Sequence, residues 1–255
     1  MPYDLTNFTL KDMALCSGWV RKAGKTAADM EEVASSIVSY LYNEFVIANS
    51  DDKACALVRF FVTCNYGQLS NDRQGFARRL GQNPHLQDVT CLALLATVGE
   101  KAEWNSVRHS MGHQAIPLVS KAVVEQAPMI AQLIKQSGLD IATILSPAPD
   151  LILEAEQRSY NVFHVPNARG SPYIPAQKEF VIPYGICSCL GFGGLLPSGR
   201  LFSVIMFSKV SIPTETANMF RTLSLSVKTA ILPFDKDRVF HQDGPSKVTP
   251  ERTSQ

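Results

Sequence analysis

The sequence predicts an α+β fold with a mainly antiparallel sheet flanked by N- and C-terminal helices. Three observations lead to this prediction. Apolar residues recur at helical spacing over residues 29–46 and again in the segment that begins at Pro213. Residues 54–64 and 89–98 are apolar runs rich in β-forming side chains. Two further apolar runs flank a Pro-Ser-Gly turn at residues 197–199, and this pattern is typical of a β-hairpin.

The N-terminal part of the chain predicts helices around a first strand. Residues 1–30 carry a loose apolar stripe that predicts a helix. The next helix covers residues 29–46, with Asp29 as its expected N-cap, because an aspartate side chain can accept a hydrogen bond from the first backbone N–H groups of a helix. Residues 71–80 predict a short helix that ends at Gly81.

The middle of the chain predicts short elements. A strand is expected at residues 113–118, and Ser120 is expected to cap a helix that restarts at Pro128. Residues 151–159 then predict a short helix, and residues 160–165 predict a strand.

The C-terminal part predicts the hairpin, with strands at residues 181–196 and 200–208, followed by a last helix that Pro233 ends. Five apolar side chains should line one face of that helix: Phe220, Leu223, Val227, Ala230 and Ile231. Residues 235–255 are polar and have no periodicity. We therefore expect one domain over residues 1–234 and a disordered tail over residues 235–255.

The composition limits the possible partners. The chain has 24 Lys and Arg and 23 Asp and Glu, so its net charge is +1. A nearly neutral protein lacks the field that holds a polyanion, which disfavours nucleic-acid binding by bulk charge. No apolar run reaches the ~18–20 residues that span a bilayer. The first ten residues have no basic or apolar segment typical of a secretory signal, so we expect a cytoplasmic protein without a membrane partner.

The end of the chain resembles a GAF domain. That family closes with a strand that carries a proline and a glycine, a hairpin, a second apolar strand, and a terminal helix opened by Pro, Thr or Ser, and an acidic residue. This chain has Val-Ile-Pro at residues 181–183, the turn at residues 197–199, and Ile-Pro-Thr-Glu at residues 212–215, in the same order and spacing. The predicted helix at residues 29–46 and the strand at residues 54–64 resemble the opening of the family.

Residues 1–234 as a whole resemble a GAF-like N-terminal sensor module of bacterial histidine kinases and PAS-containing signalling proteins. The similar segments are EWNS (103–106), GHQAIPL (112–118), VVEQAPMI (123–130), GSPYIPAQ (170–177) and VIPYGI (181–186). The resemblance implies a cytosolic regulatory domain of a two-component system. Such a domain binds a small molecule or a partner on one sheet face, forms a homodimer through its first and last helices, and signals along the last helix.

The output of such a module is not evident in this chain. The sequence contains no kinase histidine box, no ATP-binding glycine boxes and no receiver. The resemblance therefore implies either a sensor that acts in trans on an output kinase or another signalling protein, or an output that was lost or lies elsewhere.

A ligand pocket of this kind needs polar groups on an otherwise apolar sheet face. Arg59 lies among apolar residues in a predicted strand, where it is either an anchor for an anionic ligand or the partner of a structural carboxylate or of solvent. The pocket is expected between the sheet and the proline-rich loop at residues 160–180. The further lining candidates are His113, Tyr173 and Tyr184.

One predicted strand face carries only small residues, at positions 185, 187, 189, 191 and 193. A run of small side chains indicates that something bulky comes close to the backbone, either a helix or a ligand. A helix is the favoured alternative.

The cofactor stays unassigned. Nothing marks His113 or His164 as an axial haem ligand, and the sequence has no Cys-His dipeptide of the kind expected in a bilin pocket. No P-loop, GxSxG or HExxH motif is present, so an enzyme is not expected. Two alternatives remain: a redox enzyme resembling the free methionine sulfoxide reductases, with Cys187 and Cys189 as the close pair, and a ligand-free interaction scaffold.

Overall fold

The computed structural model describes residues 2–81, 87–110, 113–125, 127–136, 140–145 and 162–241. It contains a six-stranded antiparallel sheet with several helices, which confirms the predicted α+β class. The strands of this sheet are β3 (Cys55–Asn65), β4 (Thr90–Gly99), β5 (Ala115–Pro117), β6 (Val162–Val165), β7 (Ser188–Leu195) and β8 (Leu201–Ser208). Their order across the sheet is β5-β4-β3-β8-β7-β6. The short strands β1 (Tyr3–Asp4) and β2 (Phe45–Val46) form a separate parallel pair.

The described helices are α1 (Leu10–Val20), α2 (Met30–Glu44), α3 (Asn71–Gly81), α4 (Lys121–Glu125), α5 (Pro128–Gln136), α6 (Ile141–Leu145) and α7 (Thr214–Ile231). Asp29 caps α2 as predicted, since its Oδ1 accepts a hydrogen bond from the Glu32 backbone N–H at 2.9 Å. The predicted restart at Pro128 is also present, because α5 begins there. The helix predicted at residues 151–159 lies outside the described residues.

Helices α1, α2 and α7 cover one side of the sheet, which we call the helix face. Val58, Phe60 and Val62 of β3 point to this side and belong to the main hydrophobic core. All five apolar residues predicted to line the last helix are buried in the same core. Within this core, the Phe220 ring lies 5.2 Å from the Phe192 ring of β7. The apolar side of α7, which the helical periodicity of the sequence predicts, therefore covers this face of the sheet.

The opposite side of the sheet, which we call the loop face, carries a second hydrophobic core. It combines Leu57 and Phe61 of β3 with apolar residues from α5, α6 and residues 163–186. Arg59 lies between Leu57 and Phe61 in the strand, so strand alternation places it on this face.

The strand predicted over residues 181–196 starts later than expected. Residues Gln177–Val181 form a short π-helical segment, and a turn follows it before β7 begins at Ser188. Pro183 has no N–H to donate to a strand ladder, and Gly185 has a left-handed φ of +61°. The prediction of strand at residues 181–187 was therefore wrong, and Tyr184 lies in a turn.

Residues 235–241, which the sequence analysis assigned to the polar tail, are packed against the domain. Asp235 is 4% exposed, and its carboxylate accepts hydrogen bonds from the Ser198 backbone N–H at 3.0 Å and from the Ser198 hydroxyl at 2.5 Å. Val239 is buried in the main core. The polar composition of this segment gave no sign that Asp235 and Val239 are buried. The remainder of the predicted tail, residues 242–255, lies outside the described residues.

Across the described part of the chain, no helix combines the length and the hydropathy that are needed to cross a membrane.

Candidate functional site

Arg59 is a buried cation in the middle of the central strand β3. The residue is 9% exposed. Its Nη2 donates to the Ser110 hydroxyl at 3.3 Å, while its Nε has no acceptor. No carboxylate among the described residues forms an ion pair with it. Burial lowers the pKa of the guanidinium to about 10, so the group stays charged at neutral pH.

Ser203 on the neighbouring strand β8 adds a second polar group. It is 1% exposed, and its Oγ has no hydrogen-bond partner among the described residues. Strand β8 pairs with β3 so that Ile205 lies opposite Arg59 and Ser203 lies opposite Phe61. Arg59 and Ser203 are therefore diagonal neighbours on the loop face, within the reach of a long side chain.

Arg200, another arginine with a buried Nε, shows how unusual this setting is. Its Nη1 lies 3.7 Å from the Asp235 carboxylate and donates to the Asp235 backbone carbonyl at 2.8 Å. Its Nη2 donates to the Gln68 side-chain oxygen at 2.9 Å. The charge of Arg200 is compensated by an acidic partner, whereas in the described part of the chain the hydrogen-bond partner of Arg59 is one neutral hydroxyl.

An aromatic cluster borders Arg59 on the loop face. Trp104 lies 4.6 Å from the Tyr184 ring and 5.5 Å from the Phe180 ring, and Phe180 lies 4.9 Å from Phe207 of β8. Thr97, which pairs with Arg59 across β3 and β4, donates to the Trp104 carbonyl at 2.8 Å. Through Thr97, the cluster is connected to the strand that carries Arg59. The candidate site therefore combines polar groups around Arg59 with aromatic rings around Trp104.

The β7 end of the loop face is occupied by a helix. A Cβ atom added to Gly191 would lie 3.1 Å from Cδ1 of Leu133 in α5. At Gly191 the bulky neighbour is therefore a helix, as the sequence analysis favoured, whereas a Cβ at Gly193 would meet the backbone of Phe202 in β8.

The four predicted site residues fall in different places. Arg59 is buried mid-strand, and Tyr184 lies on the same face in the aromatic cluster. His113 is exposed in the turn before β5, and Tyr173 is 36% exposed on the loop after β6. Because β5 and β6 are the two outer strands, these segments are separated by five strand spacings, roughly 24 Å. The structure brings Arg59 and Tyr184 to one face but does not bring all four residues together.

Sequence reasoning missed Ser203, Ser110 and Trp104. Ser203 had a usable signal, because it is a polar residue that alternates with the apolar residues of a predicted strand. Ser110 and Trp104 had no such signal, because periodicity assigns only helices and strands. Trp104 lies in a single 3₁₀ turn at Ala102–Asn105, and Ser110 lies outside any regular element. Their proximity to Arg59 and Tyr184 depends on how the chain folds back after β4.

Five of the six cysteines are buried. Cys189 is buried, and burial raises the pKa of its thiol well above the ordinary value. Cys187 is exposed. The thiols of the other four cysteines are also buried, and burial raises each pKa to about 12. Thiols in such surroundings are held in the protonated, unreactive form.

Asp29, Glu32 and His241 bring one ligand atom each to within 4.8 Å of one another, which is the spacing a metal ion requires. The Asp29 and Glu32 carboxylates already accept backbone N–H groups at the start of α2. His241 Nδ1 lies 2.9 Å from Asp29 Oδ2. The His241 contact with Asp29, together with the hydrogen bond from the His241 backbone N–H to the Glu31 carboxylate, therefore joins the end of residues 235–241 to the start of α2.

A comparison with models of protein families finds no match, and a comparison with curated proteins finds no relative. The family resemblance rests on the motifs of the sequence.

Proposed function

We propose that the protein is a sensory, ligand-binding module with a GAF-like fold that works in a cytoplasmic signal-transduction system. The observation that carries the proposal is the buried Arg59, which has no acidic partner among the described residues. Removing a charge from water without pairing it destabilises a fold. A binding site gains from such a charge, because it attracts and orients a ligand of opposite charge.

The β-hairpin offers a route from the site to the terminal helices. Ser203 faces the ligand side, while its neighbours Phe202 and Val204 face the helices. Phe202 packs beside Phe60 of β3, with ring centroids 6.2 Å apart. A ligand that binds one arrangement of β3 and β8 more tightly shifts the population toward that arrangement, and α1 and α7 move with the core beneath them.

The outer surfaces of the terminal helices support a role in association. Leu15 of α1 is 54% exposed, and Leu225 of α7 is 52% exposed. These helices pack against each other, so a shift in one is transmitted to the other. We assign them to a homodimer contact and to the contact with an output kinase or another signalling protein.

The cysteines support a binding role in a reducing compartment. All six are free thiols, as is usual in the cytoplasm. Burial of Cys189 raises its thiol pKa, which favours a binding module over a redox enzyme that uses Cys187 and Cys189.

Thermal denaturation against a metabolite library tests this function. A ligand at ~100 times its Kd adds roughly 2.7 kcal/mol to the free energy of unfolding. Hydrogen exchange with and without the stabilising compound should then change in β3 and β8 and also in α1 and α7. A library without any stabilising compound, together with a partner that co-purifies, would instead favour the ligand-free scaffold.

A further inference from the structure

We propose that the ligand is a small carboxylate monoanion held between Arg59 of β3 and Ser203 of β8. This inference rests on the proposed function, because it names the ligand class of the same site. Three properties of the loop face carry it: its net charge, the unused donors of the guanidinium, and the apolar surroundings.

The buried charge described on the loop face matches one negative charge, whereas the Lys101 ammonium over the Trp104 and Tyr184 rings is exposed to solvent. The buried charged residues of the described chain are Asp29, Arg59, Lys228 and Asp235, and of these Arg59 alone lies in a strand of the sheet, on the loop face. The polar groups beside it, on Ser110, Thr97 and Ser203, are neutral hydroxyls. A carboxylate neutralises the guanidinium. A phosphate dianion would leave a second, uncompensated charge in an apolar environment, which is strongly unfavourable.

The unused donors match the shape of a carboxylate. Arg59 Nε has no acceptor, and Nη2 carries a second N–H beside the one that Ser110 accepts. In a planar guanidinium the Nε–H and one Nη–H lie parallel on one edge. Two carboxylate oxygens accept such a pair of hydrogen bonds simultaneously. The unpartnered Ser203 hydroxyl supplies a further donor on the adjacent strand.

The remainder of the ligand should be small and apolar. Leu57 and Phe61 flank Arg59 along β3, and Ile205 lies opposite it on β8. The aromatic cluster of Trp104, Phe180, Tyr184 and Phe207 borders the same face. Such surroundings favour a compact aliphatic or aromatic body attached to the carboxylate over a sugar or a nucleotide.

The test measures the melting temperature of the full chain in formate, acetate, propionate and benzoate at constant ionic strength, with chloride and phosphate as reference salts. We expect at least one carboxylate to raise the melting temperature in a saturable way. Above its Kd, each tenfold increase in concentration should add roughly 3–6 °C for a domain of this size. Phosphate should have no more effect than chloride.

Two variants make the test specific. Arg59→Gln should abolish the carboxylate response, and Arg59→Lys should weaken it, since lysine keeps the charge but loses the paired donors. Arg200→Gln is the matched control, because that arginine already has an acidic partner, and it should keep the full response. A carboxylate response that survives in Arg59→Gln, an equal response to phosphate, or no response to any of the four carboxylates would overturn the inference.

Failure of the inference and failure of the proposed function give different results. A neutral compound that stabilises the wild type and Arg59→Gln equally, and that still changes hydrogen exchange in α1 and α7, would refute the carboxylate ligand and leave the sensory function in place. A carboxylate that binds through Arg59 without changing hydrogen exchange in α1 and α7 would support the inference and refute signalling through the helices.

Discussion

The guanidinium of Arg59 donates to the Ser110 hydroxyl over 3.3 Å, so a buried cation on the central strand has a neutral partner. Replacing a poorly compensated buried charge with an apolar side chain of similar length removes the penalty of taking that charge out of water. We therefore predict that Arg59→Met raises the free energy of unfolding by about 1–3 kcal/mol in urea denaturation without ligand.

Replacing Arg200 with methionine should instead lower the free energy of unfolding. Arg200→Met removes the partner of the buried Asp235 carboxylate, and we expect a loss of roughly 3 kcal/mol. If Arg59→Met instead destabilises the protein as much as Arg200→Met does, Arg59 is a structural residue and the ligand site loses its main support.

Gly24 controls how closely the segment after α1 approaches α7. A Cβ atom at this position would collide with the backbone carbonyl oxygen of Ala230. Gly24→Ala should lower the free energy of unfolding by roughly 1–3 kcal/mol, because the segment after α1 must move away from α7 to make room for the methyl group.

Gly18 in α1 is the control, since a Cβ there has open space. Gly18→Ala should add about 0.5–1 kcal/mol by favouring the helix. Equal effects at both positions would show that this close approach does not exist.

His164 on β6 should make stability depend on pH. Burial lowers its pKa, and a hydrogen bond to the Ile212 backbone opposes this shift only in part. The unfolded chain therefore takes up the proton at a higher pH than the folded chain. The stability due to neutral His164 is fully present above about pH 6.5 and is lost as pH falls through the lower pKa of the folded state.

The measurement is urea denaturation at pH 7.5, 6.0 and 5.0. His164→Gln should lose less stability between pH 7.5 and 5.0 than the wild type does. His109→Gln, which removes an exposed histidine between β4 and β5, serves as the control and should follow the wild type. Identical pH profiles for all three proteins would exclude a role for His164.

Asp235 should be an anchor of the domain rather than part of a loose tail. Its carboxylate accepts two hydrogen bonds from Ser198 in the hairpin turn. Asp235→Ala should lower the free energy of unfolding by about 2 kcal/mol, because hydrogen bonds to a buried charged group are lost. Asp237→Ala, two residues away and exposed, should change it by less than about 0.5 kcal/mol. If Asp235→Ala leaves the free energy of unfolding unchanged, the domain ends before residue 235.

Elements whose signals are local could be predicted from the sequence. The Asp29 cap and the spacing of apolar residues define α2, and the same spacing identifies the buried side of α7. Alternation in β3 places Arg59 on the side opposite the helices, although an irregular register between Cys55 and Leu57 puts Cys55 on the helix face and Ala56 on the loop face. These features depend on neighbours within a few positions along the chain.

Features that depend on distant contacts could not be predicted. Residues 181–187 are apolar enough for a strand, but Pro183 and Gly185 favour the turn that the structure shows. The burial of Asp235 requires Ser198, which is 37 residues away in the chain. Strand alternation places Arg59 on the loop face, yet the sequence could not reveal that His113 and Tyr173 lie near opposite edges of the sheet.

The two tryptophans allow a direct test of the central claim that a ligand on the loop face acts on the terminal helices. Trp104 belongs to the aromatic cluster of the site, whereas Trp19 lies on α1 and stacks on Tyr40 at 3.7 Å. The decisive measurement is the fluorescence of each tryptophan alone, in Trp19→Phe and in Trp104→Phe, during titration with the stabilising ligand. We predict that both signals change with the same midpoint. A response of Trp104 with no change at Trp19 would contradict coupling between the site and the helices.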